Sequence, residues 1–131
     1  MIRLFTFLAA TLSLAACDQD ETLRSYGAGD IVWSLTELND APFTADSALS
    51  FLSGNRVSGT GPCNTFMATM SVPYPWFELE GLASTRRVCP QLAEETDFFN
   101  ALTQASQVEI LGNVMVLSND DGLSMVFKAV D

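Results

Sequence analysis

Gly54-Asn55-Arg56-Val57-Ser58-Gly59-Thr60-Gly61-Pro62-Cys63-Asn64-Thr65-Phe66 is the stretch that decides the fold. Ser53-Gly54-Asn55 holds the residues of a tight turn, so 56–59 reads as a strand returning antiparallel to 48–53, where Leu49 and Phe51 share a face. Thr60-Gly61-Pro62 then interrupts the pairing, because two glycines allow close backbone approach and proline removes a ladder donor. From 64 to 74 Phe66, Ala68, Met70 and Val72 alternate with Thr65, Met67, Thr69 and Ser71, which is a strand with one wet face, stopped by Pro73 and Pro75.

Working outward, 31–38 is rich in β-formers with Trp33, Leu35 and Glu37 on one parity, and Asn39-Asp40-Ala41-Pro42 ends it. Downstream, 76–82 sets Phe77, Leu79 and Gly81 opposite Trp76, Glu78 and Glu80, again a strand with one solvated face. After Cys89-Pro90 the period changes: Phe98, Phe99, Leu102 and Ala105 recur at helical spacing, and Glu94, Glu95 and Asp97 place charge in the first turns, where the helix dipole favours it. Runs 107–111, 114–118 and 124–129 close the chain as strands, joined at Gly112-Asn113 and at Asn119-Asp120-Asp121-Gly122. The expectation is a mainly β (α+β) domain, a small antiparallel, partly open barrel-like sheet packed against one helix.

The N-terminus is an address. Met1-Ile2-Arg3 is a short positive region, 4–12 is apolar but too short to span a bilayer, and Leu14-Ala15-Ala16-Cys17 follows. That ending resembles the bacterial lipoprotein signal, in which the peptidase cuts before the cysteine and the thiol is lipid-modified; an ordinary secretory signal cut after Ala16 is the alternative. The division expected is therefore a signal peptide over 1–16, a flexible tether over 17–29 without apolar periodicity, and a folded domain over 30–131. On this reading the protein is a membrane-anchored lipoprotein facing the periplasm of a Gram-negative cell envelope, with Cys17 as its lipid-bearing residue and inner or outer membrane left open.

Charge and composition exclude several functions. Six Lys and Arg against sixteen Asp and Glu give a formal net charge of −10, one unit more negative without Arg3, which opposes binding to nucleic acid or electrostatic adhesion to an anionic surface. Histidine is absent, which removes Ser-His-Asp and Cys-His catalysis and every imidazole-containing zinc site. Nothing in the pattern points to a cofactor or a metal.

The ordered set Trp33-Ser34-Leu35, Leu49-Ser50-Phe51, Arg56-Val57-Ser58-Gly59, Cys63-Asn64, Thr85-Arg86, Cys89-Pro90, Phe99, Leu102 and the closing hairpins resembles the META domain, an HslJ-like family. The resemblance covers 31–127. It departs where Pro62 precedes the first cysteine in place of the family's usual glycine, at Ala68 and Met70, and at Arg87-Val88 before the second cysteine. It implies a small mixed β domain, often lipid-anchored or periplasmic, without an established catalytic activity. The function expected is non-enzymatic: a binding or stress-related envelope-integrity role with a possible envelope protein partner, or else carriage of an apolar small molecule between helix and sheet.

With Cys17 given to lipid, Cys63 and Cys89 remain as an even pair in an oxidising compartment and are expected to form a disulfide; two reduced buried cysteines or a redox-active thiol are the alternatives. Arg86 and Arg87, adjacent cations in an acidic chain, are candidate binding residues together with Asn64; one arginine is expected to be held by a carboxylate or by loop carbonyls near Asn64 and the other to meet solvent. Tyr74 and Trp76, flanked by Pro73 and Pro75, form a candidate aromatic knuckle for a partner or ligand. Glu78 and Glu80 read as a solvated face before they read as a catalytic pair, and Asn119–Gly122 as a hairpin turn before a calcium loop, since it lacks the alternating ligands and distal glutamate of an EF-hand.

Overall fold

Short alternating runs broken by turn residues cannot bury both faces of each strand, so they curl around one apolar side. The computed structural model describes residues 22–130; the signal peptide expected over 1–16 and Cys17 lie outside them. Among the described residues nine strands form a single antiparallel sheet: β1 (Val32–Leu38), β2 (Ala41–Pro42), β3 (Ala48–Phe51), β4 (Arg56–Thr60), β5 (Thr65–Thr69), β6 (Glu80–Ser84), β7 (Gln107–Leu111), β8 (Val114–Ser118) and β9 (Ser124–Val130). One helix, α1 (Leu92–Gln104), stands between β6 and β7 in the chain. Eight strands run in the order β6-β5-β4-β3-β1-β9-β8-β7, and β2 pairs back on the end of β1. The sheet is an open, curled half-barrel with α1 packed against it.

Burial follows the alternation. In β5 Phe66 and Ala68 are buried and their neighbours exposed; β8 and β9 bury Met115, Leu117, Met125 and Phe127 in the same way. Trp33 lies fully inside, its indole N–H donating to the Ala28 carbonyl at 3.3 Å. From α1, Phe98 meets Phe66 edge-on with centroids 6.0 Å apart and tilts against Phe127 at 6.5 Å, so rings fill the space between helix and sheet. Each such side chain contributes about 1.5–3 kcal/mol by leaving water.

Gly59 is where this packing is tightest. A Cβ there would lie 2.4 Å from the Ala48 carbonyl oxygen and 2.4 Å from the Phe66 ring, so the pairing of β3 with β4 needs a residue without a side chain. Gly59→Ala is expected to cost about 1–3 kcal/mol by overpacking. A lower urea midpoint at unchanged slope would show it, and an unchanged midpoint would contradict it.

Four expectations need correction. The tether does not run to 29: Leu23 and Ala28 are buried, and Arg24–Ala28 forms an irregular wide turn closed by Ala28 N–H to the Leu23 carbonyl at 3.3 Å. The strand expected over 64–74 ends at Thr69. The strand expected over 76–82 lies at Glu80–Ser84 instead; Phe77 is buried, but its N–H donates to the Ser106 carbonyl at 2.9 Å, and Gly81, with φ of +62°, lies within β6 where its register against β5 shifts. Finally, 39–42 does not only end β1. Asn39 and Asp40 both have positive φ, as a two-residue hairpin turn requires, and they return the chain as β2.

The segment before β6 also covers a sheet edge. The Val108 N–H donates to the Pro75 carbonyl at 2.8 Å and Trp76 bridges to Gln107, so 75–77 lies along the outer side of β7 and satisfies backbone groups that an edge strand leaves open. Among the described residues no helix is long and apolar enough to cross a membrane.

Candidate functional site

The corner at Gly61-Pro62-Cys63-Asn64 meets the loop after β6 and the first turns of α1, and three kinds of bond lock them together. Cys63 and Cys89 are joined by a disulfide with Cα atoms 5.5 Å apart. The Asn64 side chain accepts on Oδ1 from the Arg87 N–H at 2.6 Å and the Thr85 hydroxyl at 2.9 Å, and donates from Nδ2 to the Arg87 carbonyl at 3.0 Å. Its remaining N–H goes to Glu95 Oε1. All four hydrogen-bonding positions of that amide are then used.

Glu95 is the centre of the lock. It is only 3% exposed, and its Oε2 accepts from the Cys63 and Asn64 backbone N–H groups at 2.8 and 2.7 Å. A buried carboxylate is stable only when its lone pairs meet donors, and here three N–H groups supply them without a cation. Gly61 permits the approach, since a Cβ there would lie 2.6 Å from Oε2. The acidic load expected for the helix dipole is therefore right for exposed Glu94, but Glu95 does a different job. Sequence reasoning missed it although Glu95, Phe98, Leu102 and Ala105 fall at i, i+3, i+7 and i+10, which places the carboxylate on the buried stripe.

The candidate binding residues separate into two places. Asn64, Arg86 and Arg87 lie at the lock, beside a groove of about 290 Å³ that Val88, Leu92 and Phe99 also line. It is the backbone of Arg87 that holds Asn64, while the side chains of Arg86 and Arg87 are exposed. Tyr74 and Trp76 lie elsewhere, along a groove of about 510 Å³ shared with Gln107, Glu109 and Ser118. Trp76 is 55% exposed, and Tyr74 is half-buried beneath the stacked ring of Tyr26 at a centroid distance of 4.4 Å.

Glu78 and Glu80 do not share a strand face, because only Glu80 belongs to β6. Asn119–Gly122 is a hairpin turn in which Asn119 Oδ1 accepts from the Asp121 and Leu123 N–H groups at 2.9 and 3.0 Å. Among the described residues no three Cys, Asp or Glu side chains gather as metal ligands would.

The META domain model matches residues 28–131. An NMR structure of a protein from Burkholderia xenovorans is similar over 95% of this chain and 99% of its own, with a TM-score of 0.65 and 21% identity. A second NMR structure is 26% identical, with a TM-score of 0.60, over 75% of this chain and 87% of that one. The crystal structure of a DUF4847 family protein from Bacteroides vulgatus ATCC 8482 has a TM-score of 0.57 and 14% identity over 77% and 92% of the two chains. The first and third show the fold alone. No curated protein matches the chain.

Proposed function

Starting from a chain that belongs to the META domain family, we propose that this is a non-enzymatic, lipid-anchored protein of the Gram-negative cell envelope that acts by binding another envelope component. The observation that carries the reading is the Leu14-Ala15-Ala16-Cys17 signal, supported by the Cys63–Cys89 disulfide, a bond suited to an oxidising compartment. Several acyl chains on Cys17 give stable attachment where one is marginal. A periplasmic location and a role in envelope integrity under stress follow as parts of the same proposal.

Binding is favoured over carriage of an apolar molecule by where the space lies. Rings of Phe66, Phe98 and Phe127 occupy the interval between helix and sheet, whereas the groove at Tyr74 and Trp76 opens on the surface with an exposed indole. Trp and Tyr combine apolar area with a polar tip and low entropy loss, which suits a contact surface.

Two measurements on cells expressing the full chain test this. Mass spectrometry of the mature N-terminus is expected to show an acylated Cys17, and Cys17→Ala is expected to release the protein from the membrane fraction; an unmodified Cys17 would overturn the anchor. Photocrosslinking from position 76 is expected to capture one recurrent envelope protein, and the lack of any recurrent product would count against binding there.

A further inference from the structure

The end of the half-barrel from which the tether leaves has a surface of its own. Strand register fixes what lies there: Val32 opens β1 opposite Val130, the last described residue of β9; Leu111 closes β7 beside Val114; and Arg56 opens β4 opposite Thr69. The turn Arg24–Ala28 lies at the same end, because Arg24 donates to the Phe51 carbonyl at 3.1 Å and Gly29 bridges to Phe51. Its Tyr26 stacks on Tyr74, whose hydroxyl accepts from the Ile110 N–H next to Leu111.

Tyr26, Val32, Leu111 and Val130 make up four of the eight large hydrophobic side chains exposed among the described residues. Strand register and the Tyr26–Tyr74 stack bring these four to one end of the half-barrel, whereas exposed apolar residues are usually scattered singly. Arg24 and Arg56, two of the chain's six cations, line a groove of about 240 Å³ at the same end. Asp30 pairs with Arg24 at 2.8 Å, and Glu80 opens β6 nearby, so the end is mixed in charge within a chain that is otherwise strongly acidic.

Tether length says what this surface faces. Since Leu23 is buried in the domain, only residues 18–22 separate it from Cys17, a span of at most about 20 Å at roughly 3.5 Å per residue. We infer that this end rests on the bilayer that holds the acyl chains of Cys17, with Tyr26, Val32, Leu111 and Val130 at the boundary between headgroups and acyl chains and Arg24 and Arg56 toward lipid phosphates. The inference rests on the anchoring proposed above. Aromatic and aliphatic side chains settle at that boundary, and guanidinium groups pair with phosphate. Net negative charge opposes free association with anionic lipid, but a short tether holds the domain at high local concentration, so a weak contact suffices. The consequence is orientation: α1, the Cys63–Cys89 bridge and the Arg86-Arg87-Val88 loop point away from the membrane.

The test uses the full lipidated protein in vesicles of phosphatidylethanolamine and phosphatidylglycerol. A polarity-sensitive fluorophore is placed at Leu111→Cys, or at Val88→Cys at the opposite end, where the side chain is 84% exposed. The acyl state of Cys17 is read by mass spectrometry on the same samples. Expected are a blue shift and quenching by nitroxide-bearing lipids at 111, neither at 88, and loss of quenching at 111 when Tyr26→Ser and Val130→Ser are added. Equal absence of quenching at both positions with Cys17 acylated would overturn the docking and leave the anchor standing. An unacylated Cys17 would overturn both.

Discussion

Glu95→Ala is expected to lower the unfolding free energy by about 3–5 kcal/mol, a large share of the roughly 5–15 kcal/mol that holds a domain of this size. Removing the carboxylate orphans the Cys63 and Asn64 backbone N–H groups and one N–H of the Asn64 amide, all at a buried site. Each unpaired buried donor costs about 1–3 kcal/mol, less what water recovers by entering. Glu95→Gln is no rescue. Its amide nitrogen must face either the two backbone donors or the Asn64 amide, and turning Asn64 over would break its bonds to Thr85 and Arg87, so about 2–3 kcal/mol is lost. Glu94→Gln, one residue away on the exposed side, is the control and is expected to fall within about 0.5 kcal/mol of the parent. Urea unfolding of the three variants checks the ranking, and a Glu95→Gln protein as stable as the Glu94→Gln control would contradict it.

Breaking the Cys63–Cys89 bridge is expected to cost about 3.5 kcal/mol. The two cysteines are 26 residues apart in sequence, and closing a loop of that length removes about this much chain entropy from the unfolded state. Paired replacement by serine is expected to leave the far-ultraviolet spectrum unchanged, because Asn64 still clasps the backbone of Arg87 and β5 still pairs with β6. The stability loss appears as a lower denaturant midpoint. In the oxidised parent, reduction raises the mass by two hydrogen atoms; a parent whose mass does not change, or a serine variant of equal stability, would contradict the bridge as a stabilising element.

Much of the fold was legible because most strands bury one face and wet the other. Trp33 and Leu35, Leu49 and Phe51, Phe66 and Ala68, and Met125 and Phe127 each carried their own period of two, and Phe98 and Leu102 announced the helix. What failed lacked that signal. Strand β6 has four exposed positions out of five, so alternation could not mark it, while Phe77 and Leu79 imitated a strand in a segment whose backbone pairs across β7 at only a few points. Leu23 and Ala28 are buried singly from a polar stretch, where no repeat could reveal them. The cysteine pair was legible from count and the compartment expected of the chain, yet its companion Glu95 was read by the chemistry of helix ends and not by its place on the apolar stripe. As for the candidate residues, Tyr74 and Trp76 do share one groove, while Asn64 belongs to the lock and leaves Arg86 and Arg87 exposed beside it.

The Gly54 to Phe66 stretch thus ends in a lock in which Cys63, Asn64 and Glu95 act as one unit. A double-mutant cycle tests this most directly: unfolding free energies of the parent, Asn64→Ala, Glu95→Ala and the double variant, under oxidising conditions. The result expected is a double variant whose loss is smaller than the two single losses combined by about 1–3 kcal/mol, since either change alone already breaks the shared network. Losses that add to within about 0.5 kcal/mol would show two independent side chains and contradict the lock.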